Sequence, residues 1–133
     1  MPADLIALLV AGHRRLEALF AEFETAPSPA HREAAFAAMQ AALARHASLD
    51  ARFLHPALRE YLPAGPEIAA YEAAELASFD ALEPAVLLDA VRLHLQEEET
   101  ELFPRLTQAC PAGELARLGG LLAGAGDSPR VTE

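Results

Sequence analysis

The residues in this chain most able to carry out chemistry are a histidine and an acid four positions apart, a pair that occurs twice. His94 and Glu98 lie in the segment HLQEEETELFP, and His46 and Asp50 lie in HASLDARFLHP, 48 positions earlier. The two segments also share a leucine eight positions and a proline ten positions after the histidine. Residues i and i+4 lie on one face of a helix, so each segment presents an imidazole beside a carboxylate.

An imidazole beside a carboxylate is a combination suited to binding metal ions. Imidazole nitrogen is a ligand of intermediate softness, and a carboxylate can bridge two neighbouring ions, which favours iron, manganese or zinc over calcium. Two helices that each carry such a pair can hold two cations. The repeated pair therefore predicts a site for two metal ions between helices.

The composition predicts that these helices belong to an all-α domain. The chain has 133 residues, which fits one domain with a real core. Alanine and leucine dominate, and runs rich in valine, isoleucine, threonine or tyrosine are missing. We expect an antiparallel up-down four-helix bundle with a short C-terminal helix over 114–123. The bundle should span residues 1–123, and residues 124–133 should form a mobile tail.

Four long helices are predicted from capping residues and proline-containing turns. Asp4 is a good N-cap for a first helix to about Thr25. Ser28 with Pro29 begins a second helix that continues to about His55, can bend at Pro56 and ends by Leu62. A third helix is expected over about 66–82, and a fourth of about two dozen residues begins after the turn at Glu83. Along each helix, residues at spacings of 3 and 4 form an inward-facing row, or seam, that is apolar at both ends and ionisable at its centre. The four centres should meet in the core. In helix order they are His13; His46 and Asp50; Glu72 and Glu75; His94 and Glu98.

The third helix offers two candidate ligands that sequence alone does not separate. His94 comes about ten residues after the turn near Glu83, and Glu72 precedes it by about ten, so the two should lie at a similar level. Glu75 lies about one turn nearer the loop. Glu72 is slightly favoured, and both are retained.

The acidic seams supply an energetic reason for a metal. Burying an unpaired carboxylate costs several kcal/mol, and as many as four acids point towards one core. No arginine occupies these seam positions. A cluster of cations would lower the pKa values of the carboxyl groups and accept the imidazole lone pairs.

These segments resemble two motifs of the hemerythrin-like, or HHE cation-binding, domains. HLQEEETELFP is similar to the last-helix motif of that family, HASLDARFLHP to its second-helix motif, and GHRRLEALF, which contains His13, to its first. The resemblance extends from His13 to Pro104. It implies a non-haem site for two iron ions, in which the terminal ligands are His13, His46 and His94 and the bridging ligands are Asp50 and Glu98.

The third helix departs from the family pattern, which usually supplies one or two histidines there. Glu72 or Glu75 would stand in, giving a harder, carboxylate-rich site that favours ferric iron. Zinc or manganese could occupy it instead. We therefore expect interaction with O2, peroxide or NO in sensing, storage or redox defence. Two alternatives remain open: a di-iron peroxidase or oxidase, and a metal-free helical interaction module.

Net charge and residue composition limit which partners and which cellular compartment are expected for this chain. Twenty acids against ten arginines give a formal charge of −10, which argues against nucleic acid or anionic membrane as a partner. The apolar run 5–11 is too short to span a bilayer, no basic segment precedes it, and Cys110 is the single cysteine. We expect a cytoplasmic protein. Off the seams, His55 should serve in packing and Glu99 should be a solvated charge.

Overall fold

The helices begin where the capping residues of the sequence place them. A computed structural model describes residues 3–126, which are helical and contain no β-strand. Helix α1 (Leu5–Glu24) comes directly after Asp4, whose side chain accepts a hydrogen bond of 2.9 Å from the amide of Ala7. Helix α2 (Pro29–Leu49) comes directly after Ser28, whose hydroxyl accepts one of 3.1 Å from the amide of His31. The all-helical class and both predicted N-caps are confirmed.

The two predicted long helices that carry the repeated pair are each interrupted by a wider π-helical turn. The first π segment, Asp50–Leu54, joins α2 to the next helix, and the second, Glu98–Leu102, joins the fifth helix to the sixth. A 3₁₀ turn, Phe79–Ala81, comes after the fourth helix. The remaining α-helices of residues 3–126 are α3 (His55–Tyr61), α4 (Gly65–Ser78), α5 (Pro84–Glu97), α6 (Phe103–Ala109) and α7 (Ala112–Gly126).

The π segments have a common cause in the prolines just after them. Proline is the second residue of α3 and of α6; it lacks an amide hydrogen, and its ring clashes with the carbonyl four residues earlier in an α-helix. The amides just before the prolines instead donate to carbonyls five residues back, from His55 to Asp50 and from Phe103 to Glu98. Each wider turn inserts one residue and changes which later side chains face inward.

Packing of the helices creates two apolar clusters. Helix α1 packs against α2 and α7, and α3 packs against α4 and α6. One cluster contains Leu9, Leu54, Leu58 and Leu106, and the other contains Phe20, Met39, Val91 and Leu95. Along each continuous helical stretch except α7, buried ionisable residues lie between the part in one cluster and the part in the other. The apolar ends and polar centres predicted for the seams are therefore present.

The buried face of α4 differs from the predicted seam. After Gly65, the buried residues are Ala69, Glu72 and Leu76 within α4 and Phe79 at the start of the 3₁₀ turn, at spacings of 3, 4 and 3. The predicted seam had instead run through Glu75. Because Leu76 occupies the inward position, Glu75 lies at the edge of the buried face with 26% of its side chain exposed.

The C-terminal helix is longer than predicted. Helix α7 extends to Gly126, so residues 124–126 belong to it and not to a tail, while residues 127–133 lie outside the described part of the chain. It packs against α1, at the same end of that helix as Leu5 and Leu9. Within residues 3–126, no helix has the length and apolar character needed to cross a membrane.

Candidate metal centre

Seven ionisable side chains are buried at the centre of the molecule, each with 5% or less of its surface exposed. Six of them are residues that the sequence predicted as ligands, and the seventh is His55. Glu75 is the predicted ligand that is absent from this set. The seven come from every helical stretch except α7: His13, His46, Asp50, His55, Glu72, His94 and Glu98.

Glu98 lies at the middle of the cluster and contacts three histidines. Its Oε1 lies 2.9 Å from Nε2 of His13 and 3.7 Å from Nε2 of His46. Its Oε2 lies 3.0 Å from Nε2 of His94. One carboxylate thus faces imidazoles from α1, α2 and α5, with a different oxygen towards each side of the cluster.

The donor atoms form two groups, each compact enough to surround one ion. The first group is His13, His46 and Glu98, and the second is Asp50, Glu72, His94 and Glu98; within each group, one atom per residue lies within 4.8 Å of the others. Glu98 belongs to both groups. Asp50 Oδ2 also lies 3.1 Å from Nε2 of His46, which connects the second group to the first.

Several buried ligand atoms make no well-directed hydrogen bond to the described residues, although two pairs of them lie within ion-pair distance: His46 with Asp50, and His55 with Glu72. They are Nε2 of His46, both carboxyl oxygens of Asp50, Oε1 of Glu72 and Nε2 of His55. Buried polar atoms are ordinarily paired, because leaving one unpaired costs about 1–3 kcal/mol. Three of these four residues belong to the two donor groups. Their imidazole and carboxylate lone pairs fit a cation, which would satisfy them by coordination.

Two glutamates hold the ring nitrogens that face away from the centre. His94 Nδ1 lies 2.6 Å from Oε1 of Glu75, and His13 Nδ1 lies 2.6 Å from Oε2 of Glu99. Glu99 also pairs with Arg14 and is only 26% exposed, so the prediction of a solvated charge was wrong. A carboxylate behind a histidine fixes its ring orientation and tautomer, leaving Nε2 for a metal.

The pKa values reflect the crowding of several acids and bases in a buried space. Burial, reinforced by Glu98, raises the pKa of Asp50 to about 6 and that of Glu72 to about 11. Burial opposes the charged form of His46, but Asp50 and Glu98 outweigh it and raise its pKa to about 10. Burial also opposes ionisation of Glu98, yet its histidine partners hold its pKa well below the usual range. The site therefore retains protons that a metal would displace.

His55 is the site residue that sequence reasoning missed. Its imidazole is 3% exposed, and Nε2 lies 3.4 Å from Oε1 of Glu72. His55 follows the first π segment, five residues after Asp50, just as Phe103 follows the second, five residues after Glu98. Both residues are buried. The predicted packing position is correct, but the polar contact was not foreseen. The signal was the proline after each of these two residues.

Comparison with known proteins does not assign the chain to a family. No protein-family model, no curated protein and no solved structure matches the chain. The donor atoms, their burial and their spacing therefore indicate what the site can do. Those features define a buried cluster of histidines and carboxylates able to hold a metal ion.

Proposed function

We propose that this chain is a hemerythrin-like metal-binding protein, an antiparallel four-helix bundle that holds two iron ions at its centre. The observation that carries the proposal is the position of Glu98, whose carboxylate belongs to both donor groups. A carboxylate with one oxygen towards each group is suited to bridge two ions. The unpartnered atoms of His46, Asp50 and Glu72 supply the further ligands.

The first ion would be held by His13, His46 and Glu98, and the second by Asp50, Glu72, His94 and Glu98. Iron bound there would supply redox chemistry and affinity for O2, peroxide or NO. The chain itself excludes bulk water, since every one of these residues is 5% or less exposed. Glu75 and Glu99 keep the rings of His94 and His13 in place from outside.

The donor set favours reaction with oxygen or peroxide over reversible oxygen carriage. The second group has three carboxylates and one imidazole, and such hard, anionic ligands stabilise ferric iron. A peroxidase or oxidase is therefore the second candidate function. Repeated consumption of peroxide by the iron-loaded protein would support an enzyme, whereas reversible, stable absorption spectra would support a binding protein.

Metal content is the direct test. Protein purified from its own host should contain two iron ions per chain by elemental analysis, and chelation should lower the midpoint of thermal unfolding. Glu98→Gln, which keeps the side-chain shape, should lower the content to below one ion. Glu101→Gln in the same π segment is the matched control, because Glu101 is exposed. The proposal would be disproved if the purified protein contained no metal and chelator left its unfolding midpoint unchanged.

A further inference from the structure

The two donor groups of the metal centre differ in the kind of atom that they offer. The first group has two imidazoles and one carboxylate, whereas the second has one imidazole and three carboxylates. Glu98 is common to both, so the difference lies in the residues that are not shared. They are His13 and His46 in the first group, and Asp50, Glu72 and His94 in the second. Imidazole suits zinc and ferrous iron, whereas carboxylate oxygen suits manganese and other hard ions, so the groups are not equivalent towards metals.

This difference does not depend on how Asp50 is divided between the groups. Its Oδ2 lies 3.1 Å from Nε2 of His46, so Asp50 can serve an ion in the first group as well. The first group would then have two imidazoles and two carboxylates, and the second would still have one and three. Glu72 belongs to the second group alone, where its Oε2 lies 3.7 Å from Nε2 of His94. Glu72 is therefore the carboxylate that distinguishes the two groups.

The side chains behind the histidines increase the difference in charge. Glu75 supports the histidine of the second group and accepts a hydrogen bond of 3.4 Å from the hydroxyl of Tyr71. Glu99 supports His13 in the first group and contacts the guanidinium of Arg14. The positive charge of Arg14 offsets that of Glu99, whereas the hydroxyl of Tyr71 is uncharged. The second group is therefore the more anionic one, and in a buried site water screens this charge only weakly.

We propose that Glu72 makes the two groups select different metal ions, the second group taking the harder or more highly charged ion and the first a softer divalent ion. With iron in both groups, the second holds ferric iron and the first holds ferrous iron. With manganese and zinc in limited supply, the second holds manganese and the first holds zinc. The inference rests on the proposed function, because both groups must bind metal, and it adds which ion each group prefers.

The experiment measures which of two metals occupies which group. Zinc binds more tightly than manganese to most sites, so the supply of both is limited to one equivalent per chain. Metal-free protein is loaded with this mixture and crystallised, and anomalous diffraction at the two absorption edges locates each metal. Manganese should exceed zinc at least about tenfold in the second group, and zinc should exceed manganese by a similar factor in the first.

Glu72→His tests the residue that sets the preference. It replaces the distinguishing carboxylate with an imidazole, so two ions should remain bound while the ratio of manganese to zinc becomes similar in the two groups. Glu67→His, at an exposed position of the same helix, is the matched control and should keep the wild-type distribution. The distribution in the wild-type protein decides the question even if Glu72→His does not fold.

Three results would overturn the inference while leaving metal binding intact. One is equal proportions of the two metals in both groups, and another is a second group without manganese. The third is a Glu72→His variant that binds two ions with the wild-type distribution. Protein that binds neither metal would overturn the proposed function as well, so the two failures are distinguishable.

Discussion

At the residue scale, two glutamates three positions apart on α4 contact different nitrogens of His94. Glu72 Oε2 lies 3.7 Å from Nε2 of His94, the nitrogen that faces the centre, and its other oxygen is unpartnered. Glu75 contacts the opposite ring nitrogen of His94 at 2.6 Å. A ligand and a residue that positions a ligand can be told apart by what their loss does to metal binding.

Replacing each glutamate with glutamine separates these roles. Glu72→Gln should reduce the metal stoichiometry by one ion, because the second group loses a charged donor. Glu75→Gln should keep the stoichiometry at saturating metal but weaken affinity by about 10–100-fold, the usual effect of losing a residue behind a ligand. Competition with a calibrated chelator measures both quantities. The reverse pattern would make Glu75 the ligand.

Without metal, the stability of the protein should fall as the pH rises from about 6 to 9. The folded-state pKa values of His46 and Glu72, about 10 and about 11, exceed their ordinary values of 6.5 and 4.5, so the folded state binds more protons than the unfolded state across this range. Each such proton is worth about 1.4 kcal/mol per pH unit. The stabilisation from His46 is complete below its unfolded pKa and lost as the pH approaches 10.

Denaturant unfolding in the presence of chelator, at pH 6 and pH 8.5, measures this dependence. Glu72→Gln cannot ionise and should flatten the slope, whereas the exposed-residue variant Glu101→Gln should leave it unchanged. Bound metal should reverse the trend, because its binding releases protons. A metal-free protein equally stable at both pH values would contradict the assigned shifts.

At the scale of elements, the helices were largely predictable, but of the two wider turns the sequence indicated only a bend at Pro56. Capping residues such as Asp4 and Ser28 act locally, so the sequence locates them well. A π segment forms where the chain avoids a clash with a proline ring. The seams were predicted from a regular period of 3.6 residues, and that period includes no such turn. The missed insertion left His55 off the predicted seam. On α4, the apolar side chain of Leu76 packs into the core, and the neighbouring Glu75 therefore lies at the edge of the buried face.

Deleting Thr100 should test how strictly the second π segment sets the inward faces. Thr100 is exposed, and its hydroxyl donates to the carbonyl of Gln96. Because Pro104 still imposes a wider turn after the deletion, the loss of one residue rotates the remainder of the helix by about 100°. Phe103 and Leu106, both buried, would then leave the core, where losing one large side chain costs about 2–5 kcal/mol.

Thermal unfolding monitored by circular dichroism measures the effect. The deletion should abolish the cooperative transition or lower its midpoint strongly. Thr100→Ala, the matched control, should change the unfolding free energy by less than about 1 kcal/mol, as expected for a surface residue. Equal midpoints for the two variants would show that the shortened chain forms a regular α-helical turn there and keeps Phe103 and Leu106 in the core.

At the scale of the whole molecule, α7 closes the structure onto the start of α1. Gly119 permits the close approach: a methyl group there would meet the carbonyl oxygen of Ala3 and lie 2.8 Å from Cα of Asp4. The neighbouring Gly120 has open space around the same position. A side chain at position 119 would therefore clash with the backbone of residues 3 and 4, whereas one at position 120 would not.

Alanine substitutions at these glycines should have opposite signs. Gly120→Ala should raise the unfolding free energy by about 0.5–1 kcal/mol, the ordinary gain in helix propensity. Gly119→Ala should lower it by about 1–3 kcal/mol, because the backbone of residues 3 and 4 must move. Denaturant unfolding distinguishes them. Stabilisation by both would mean that α7 does not dock closely against the N-terminus.

The two π segments recur with the period of the sequence repeat. They begin at Asp50 and Glu98, and their separation of 48 residues equals that of the repeat. In both halves of the chain the wider turn therefore begins at the acid of the repeated pair, so the same backbone geometry orients Asp50 and Glu98. The halves differ at the buried residue before each proline, which is His55 in one and Phe103 in the other.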